Sequence, residues 1–250
     1  LPEALWEKID ETVVSAAKKA LVGRRFLSLY GPLGAGIQSI NVDDFATLGE
    51  TEGSPVKTLG RQYVELPVLY KDFFILWRDI ENSERLGLPV DLSAAMNAAV
   101  QAARQEDELV FGGLLSVKGA RKIKKGDWST GETPVTDVCQ GLTHFTEAGI
   151  IGKAALIVSP DLYLQLQRIQ PGTGITEYER VKELVKLYQT PVLGKNKAVL
   201  VNPQPQYMDL AVGQDLATAY LETRDLNHYL RILETVLLRV KNKDAIVIYE

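Results

Sequence analysis

Two histidines (His144, His228), one cysteine (Cys139) and the acidic run Glu106-Asp107-Glu108 are the residues of this 250-residue chain best equipped for chemistry. A lone cysteine makes neither an intrachain disulfide nor a cysteine-based metal site. It sits in a helical pattern over 135–148, where it reads as a small buried hydrophobe. The histidines belong to no HExxH motif, nucleophile elbow or kinase signature, and no local pattern supports a Ser/His/Asp triad. A hydrolase acting through His144 or His228 is the enzymatic alternative. Consecutive residues of a helix point in different directions, so the three acids at 106–108 do not converge on one metal. They read as a solvated helix face or as salt-bridge partners between subunits. Glu234 is different, because it falls on the otherwise apolar face of a strand pattern. A buried carboxylate needs a partner, and Arg231 or Arg239 of a neighbouring copy is the expected one. The segment GPLGAG at 31–36 lacks both G-x-G-x-x-G and a Gly-Lys-Ser/Thr ending, so it is turn chemistry and not a nucleotide loop. No catalytic, cofactor-binding or metal-ligating residue is predicted.

The elements that would position these residues follow from periodicity. Over 4–22, Leu5, Ile9, Val13, Ala16, Ala17, Ala20 and Leu21 form an apolar helical stripe that Gly23 ends. Residues 43–69 are loop-like and then extended, with Pro55 and Pro67 barring a central strand. An arm of that kind lacks a core of its own and needs a neighbour to order it. The apolar run in Lys71–Glu84 predicts a buried helix or turn. A long spine helix is predicted over 91–111, capped by Asp91, with Leu92, Ala95, Met96, Ala99 and Ala103 on its inner side. Helices at 135–148, 160–169 and 177–187 alternate with buried strands at 154–158 and 198–201, which is an α/β arrangement. Period-two alternation over 229–240, followed by 245–249, predicts a hairpin returning to the spine helix.

Hydrophobic residues make up 46% and charged residues 24% of the chain, the ordinary balance of a globular protein with a sizeable core. A net charge of −4 argues against a general nucleic-acid binder, and the basic run 118–125 (KGARKIKK) reads as a solvated loop or wet strand face. No apolar stretch has the length of a membrane span. The N-terminal LPEALWEKIDETVV has neither the basic flank nor the apolar block of a signal peptide. The expectation is a cytoplasmic chain that binds neither nucleic acid nor membrane.

Several segments, in order, resemble the shell proteins of classical-type encapsulins. They are Gly23-Arg24-Arg25-Phe26 with Leu29 to Gly34, Leu69 to Phe73 with Trp77 to Glu81, Asp91 to Ala95, Gln105 to Phe111, Ser159 to Tyr163, Met208 to Val212, and Asn227-His228 with Arg231 and Glu234. The resemblance spans nearly the whole chain. It implies an α+β tailed-phage major capsid protein fold. The implied parts are an N-terminal helix and arm at 1–30, a peripheral domain at 31–42 and 71–125, an extended loop at 43–70, an axial domain at 126–215, and return strands at 216–250. It further implies an icosahedral shell of identical subunits, a bacterial nanocompartment, enclosing cargo enzymes that carry a C-terminal targeting peptide. Cargo of the family includes ferritin-like iron oxidases and dye-decolourising peroxidases, and the GRRFLSLYGPLG segment resembles shells with iron-handling cargo. Mapped here, the peptide groove would involve Ile9, Val13, Leu21, Arg24, Ser28, Ile246 and Ile248. The five-fold pore loop would be Gln170, Pro171, Gly172, Thr173, Gly174, Ile175 and Thr176. A phage or prophage capsid protein is the alternative within the same fold. The chain departs from the family in having Ser28 where many relatives are acidic, and in shorter stretches near 46–58 and 111–115.

Overall fold

The computed structural model describes residues 1–47, 56–169 and 174–250. The chain begins with helix α1 (Glu3–Ala20), whose buried stripe Leu5, Ile9, Val13, Ala16 and Ala17 follows the sequence period. That stripe lies against the spine helix α3 (Ser93–Leu115). The facing side of α3 is mostly alanine (Ala95, Ala98, Ala99, Ala102, Ala103), so no long side chain keeps the two helices apart. On its far side α3 packs on strands β4 (Val68–Ile75) and β11 (Asn227–Val240) through Phe73, Ile75, Leu230 and Ile232.

The spine differs from expectation in its inner face, its end and its cap. Met96 is 50% exposed, because the buried stripe runs from Ala95 through Ala98–Ala99 to Ala102–Ala103. The helix also continues past Gly112 and Gly113 to Leu115, held there by the buried Val110, Phe111 and Leu114. At its start the cap position falls to Leu92, one residue after the expected Asp91, whose carboxylate accepts the Ser93 backbone N–H at 2.9 Å from just outside the helix.

Strand β11 organises the first sheet. Its first half pairs antiparallel with β10 (Ala217–Arg224) on one side and β4 on the other; its second half pairs antiparallel with β9 (Met208–Val212). The short β1 (Leu29–Tyr30) adds parallel to β9 at the edge. The segment 71–84, expected as a buried helix or turn, splits instead. Phe73 and Ile75 point inward from β4 while Phe74 is exposed, and α2 (Trp77–Leu86) has no buried residue. A short apolar run fits either period, and here the alternation of a strand prevails.

The second sheet has the order β5–β12–β8–β6–β7, from β5 (Arg121–Ile123), β12 (Ile246–Tyr249), β8 (Ala198–Val201), β6 (Ala155–Val158) and β7 (Lys186–Gln189). Strands β6, β8 and β12 are buried along their whole length, which explains their unbroken apolar runs. Helices α4 (Thr133–Glu147), α5 (Pro160–Leu166) and α6 (Glu177–Leu184) contribute to the same core. Strand β12 corrects the hairpin expected at the C-terminus. A 3₁₀ turn at Lys243–Ala245 carries the chain away from β11, and β12 inserts between β5 and β8. Burial on both faces suits IVIY to an interior strand better than to an exposed hairpin arm. Cys139 is exposed, because α4 buries Pro134, Asp137, Val138, Gly141 and Phe145 on its other side.

The arm is a two-stranded antiparallel ribbon, β2 (Ser39–Thr47) and β3 (Val56–Glu65). Part of the stretch expected as loop is therefore strand; Pro55 lies outside the described residues. Among the described residues, β2 and β3 pair with each other and with no other strand.

Gly141 marks the tightest helix-to-sheet contact of the second core. A Cβ there would stand 2.3 Å from the Tyr249 hydroxyl and 2.7 Å from Leu200 Cδ2, both in fully buried side chains. Gly141→Ala should lower stability by about 1–3 kcal/mol through overpacking. Gly112→Ala, where nothing lies within 4 Å, should raise it by about 0.5–1 kcal/mol. Denaturant unfolding of the two variants checks the opposite signs.

Candidate interaction surfaces

Where α1 ends, a 3₁₀ turn at Gly23–Arg25 directs Arg24 into the subunit. Its Nε donates to both Glu106 oxygens at 2.9 Å, and its Nη2 donates to Glu106 Oε2 at 2.7 Å and Glu234 Oε2 at 2.9 Å. Nη1 reaches Asp215 Oδ1 at 2.7 Å. Both glutamates are fully buried, and Glu234 Oε1 has no hydrogen-bond partner among the described residues. Burial opposes the charge of Arg24, but the bonds and charges of Glu106, Asp215 and Glu234 outweigh it and raise its pKa. Next to this cluster, Asp107 accepts the backbone N–H groups of Val22 (3.0 Å) and Gly23 (2.8 Å). Burial pushes its carboxyl up to about 6, against the pull of those two amides.

These contacts correct two expectations. Glu106 and Asp107 are not a solvated face, since α3 turns them toward the end of α1; only Glu108 is exposed, paired with Arg104 at 3.0 Å. Glu234 finds its cation in Arg24 of its own chain. Arg231 instead pairs with Asp72 at 2.7 Å and Arg239 with Asp209 at 2.6 Å. Glu234 alternates with Leu230 and Ile232 on the side of β11 that faces α3, while Arg231 falls on the other side.

The residues expected to form a peptide groove do not converge. Ile9, Val13 and Leu21 are buried between α1 and the spine, whereas Ile246 and Ile248 are buried in the core of the second sheet. Arg24 is engaged within the subunit. Ser28 is half-buried and borders a separate crevice of about 800 Å³ with Tyr30, Tyr207 and Arg239. Apolar residues at helical spacing describe a packed face as well as an open one, which is why the pattern alone did not separate them. An open groove does exist beside them, on the outer flank of α1 and α3, with a volume of about 490 Å³. Its walls are Thr12, Ser15, Ala16, Lys19 and Ala20 of α1, and Met96 and Val100 of α3. The exposure of Met96, which periodicity assigns to the core, is the one sequence-level mismatch that marks this groove.

Of the expected pore loop, Gln170, Pro171, Gly172 and Thr173 lie outside the described residues. Gly174 has a φ of +72°, Ile175 is 46% exposed, and Thr176 caps α6 in a capping box with Glu179. A bridge between Ile169 and Thr176 closes the loop's base. The two histidines sit in different units, His144 in α4 and His228 in β11 beside the Tyr220 hydroxyl at 3.3 Å. Among the described residues, no group of three or more His, Cys, Asp or Glu side chains could hold a metal ion, and no helix is long and apolar enough to cross a membrane.

A third surface is the face of the first sheet turned away from the spine. Val68, Tyr70 and Phe74 of β4 are exposed there, beside Arg231 over the Tyr70 ring (4.1 Å) and Tyr229 against Phe74 (5.5 Å). Contiguous exposed aromatic and apolar side chains of this kind mark an association surface.

Because two buried carboxylates depend on one guanidinium, Arg24→Met should cost about 3–5 kcal/mol of stability. Arg24→Lys, which keeps a charge but loses the fork, should fall between Met and wild type. Urea unfolding of the three proteins measures the order.

Comparisons with known proteins agree with this architecture. The family model described as an encapsulating protein for peroxidase matches residues 1–237. The type 1 encapsulin shell protein EncA of Myxococcus xanthus is 38% identical over 268 aligned positions, covering 100% of this chain and 93% of that one. A diheme-cytochrome–encapsulin shell fusion protein of Kuenenia stuttgartiensis is 38% identical over 263 positions, covering 98% of this chain and 72% of the relative. Among solved structures, the virus-like particle from Pyrococcus furiosus superposes with a TM-score of 0.85 at 24% identity, covering 98% and 99% of the two chains. The capsid of Myoviridae phage XM1 superposes at 0.65 with 15% identity, covering 90% of each, which extends the fold to phage capsids. With a family match along almost its full length and a shell protein at 38% identity, the chain belongs to the encapsulin shell-protein family.

Proposed function

We propose that copies of this chain close into an icosahedral shell in the cytoplasm and enclose cargo enzymes that dock by a C-terminal targeting peptide. The observation that carries the assembly reading is the arm: β2 and β3 pair only with each other among the described residues. Such a ribbon gains its support from a neighbouring subunit. In this reading the unit of α1, α3 and the first sheet is the peripheral domain, the second sheet with α4 to α6 is the axial domain, and residues 170–176 line the five-fold passage. The chemistry belongs to the cargo, and the wall contributes enclosure, pores and docking.

The docking site we assign to the targeting peptide is the open groove between α1 and α3, in place of the buried Ile9, Val13 and Leu21 that lie beneath it. Met96, Val100 and Ala20 offer an apolar floor for aliphatic anchors, and Lys19 at the rim suits a peptide carbonyl or carboxylate. For the cargo itself, ferritin-like or other oxidative-stress enzymes are favoured. A relative from Pyrococcus furiosus, 27% identical over 78% of this chain and 55% of its own length, is a ferritin-like–encapsulin shell fusion protein, which supports an iron-storage role.

Two outcomes are expected. Size exclusion followed by negative-stain electron microscopy should show hollow particles of uniform diameter, and deletion of residues 46–60 should yield folded, unassembled subunits. Val100→Glu should leave particles intact while lowering co-purified cargo by roughly tenfold or more, the scale of losing a central apolar contact; equal cargo loading would remove the groove assignment.

A further inference from the structure

The Arg24 cluster holds more negative charge than one guanidinium neutralises. We infer that Glu106 and Glu234 share a single proton, and that this buried proton is the latch fastening the end of α1 to the spine helix and β11. The geometry is that of two carboxyl groups brought to one nitrogen: Arg24 Nη2 lies 2.7 Å from Glu106 Oε2 and 2.9 Å from Glu234 Oε2. Both glutamates are buried, so water does not screen their repulsion. Glu106 takes three hydrogen bonds from Arg24, whereas Glu234 takes one and keeps its Oε1 buried with no partner among the described residues. An ionised carboxylate so poorly served is costly, and a proton between the pair removes both the repulsion and the orphaned charge.

Among the described residues, the surrounding charges leave no second cation for the pair. From the turn after α1 come Arg24 and Arg25; Arg25 directs its Nη2 to the Lys19 carbonyl at 2.7 Å and acts on Asp107. From α3 comes Asp107, already satisfied by the Val22 and Gly23 amides. The β9–β10 connection supplies Asp215, a further acid on the same guanidinium, with Lys18 of α1 near it. Burial, and next the charge of Glu106, push Glu234 up to about 9, against the pull of Arg24.

The sign follows from linkage. The folded subunit keeps a proton that an unfolded glutamate releases near 4.5. Between that value and about 9 the native state binds more protons than the unfolded state, so stability falls as pH rises through this window. Asp107 acts in the same direction, but its window closes at about 6. Between about 6 and 9 the fall belongs to the glutamate pair, below the range in which the buried Tyr249 adds its own loss, and the loss of the shared proton frees α1, which forms one wall of the proposed docking groove. The latch itself is a property of the subunit; only its effect on cargo rests on the shell reading.

Infrared spectroscopy and amide hydrogen exchange of the purified full chain test the latch without cargo. Wild type should show the carbonyl stretch of a protonated carboxylic acid at about pH 7, disappearing near pH 9, and both Glu234→Gln and Glu106→Gln should lack this titrating band. Exchange protection across residues 3–25, corrected for intrinsic rates, should fall at least roughly tenfold between about pH 7 and 10 in wild type and stay level in Glu234→Gln. No protonated band in wild type at neutral pH, or the same band in both variants, overturns the shared proton. A titrating band with unchanged α1 protection overturns the latch. The wild-type spectrum decides the first point even if neither variant folds.

Discussion

A single guanidinium holds together segments that are far apart in the chain. Arg24 stands where α1 has ended, and it bonds Glu106 of the spine, Glu234 of β11 and Asp215 between β9 and β10. Remove its charge and the buried Glu106–Glu234 pair loses its counter-charge and its hydrogen-bond donors, which is far more costly than losing a surface pair. The surrounding features serve this arrangement. Asp107 occupies the backbone amides of Val22 and Gly23, so the turn that aims Arg24 inward has its own polar groups satisfied. The alanine face of the spine lets α1 lie close enough for that turn to reach the cluster.

The two cores meet along β11 and the spine. The first half of β11 sits between β4 and β10, and the second half turns to β9, so one continuous strand belongs to both regions of the first sheet. The spine does the same among the helices: its alanines pack in the α1 core, while Val110, Phe111 and Leu114 join the core of the second sheet. With β12 inserted between β5 and β8, residues 246–249 are tied into the interior of that sheet. A strand placed there is held by neighbours on both sides, in place of the hairpin with 229–240 that the sequence suggests.

Where local rules decide, the sequence was readable. The stripe of α1 runs from Leu5 to Ala17 as its period requires, and ALIV and AVLV, short β-branched runs between turns, are strands buried along their whole length. Where partners are distant, it was not. Arg24 and Glu234 lie 210 positions apart, and no rule of spacing joins them. Glu106 and Asp107 looked solvated because charged residues usually are, and only the position of α1 shows otherwise. Ile9 and Val13 were correctly read as an apolar face but not as a covered one, and that difference is why the proposed docking surface lies on the flank of α1 and not beneath it. The family resemblance, by contrast, rested on the order of many short segments, and it survived comparison over almost the full chain.

The second sheet ends in β5 on one side and β7 on the other. Strand β5 is three residues long and exposes Arg121 and Lys122; β7 is four residues long and exposes Lys186. Short, positively charged borders are poor templates for adding another strand. In a wall built from many copies, sheets must come close together at high local concentration without fusing into one continuous ribbon. The lysines and arginine at these borders let the units crowd and still remain separate tiles, leaving the joints to surfaces that fit in one orientation.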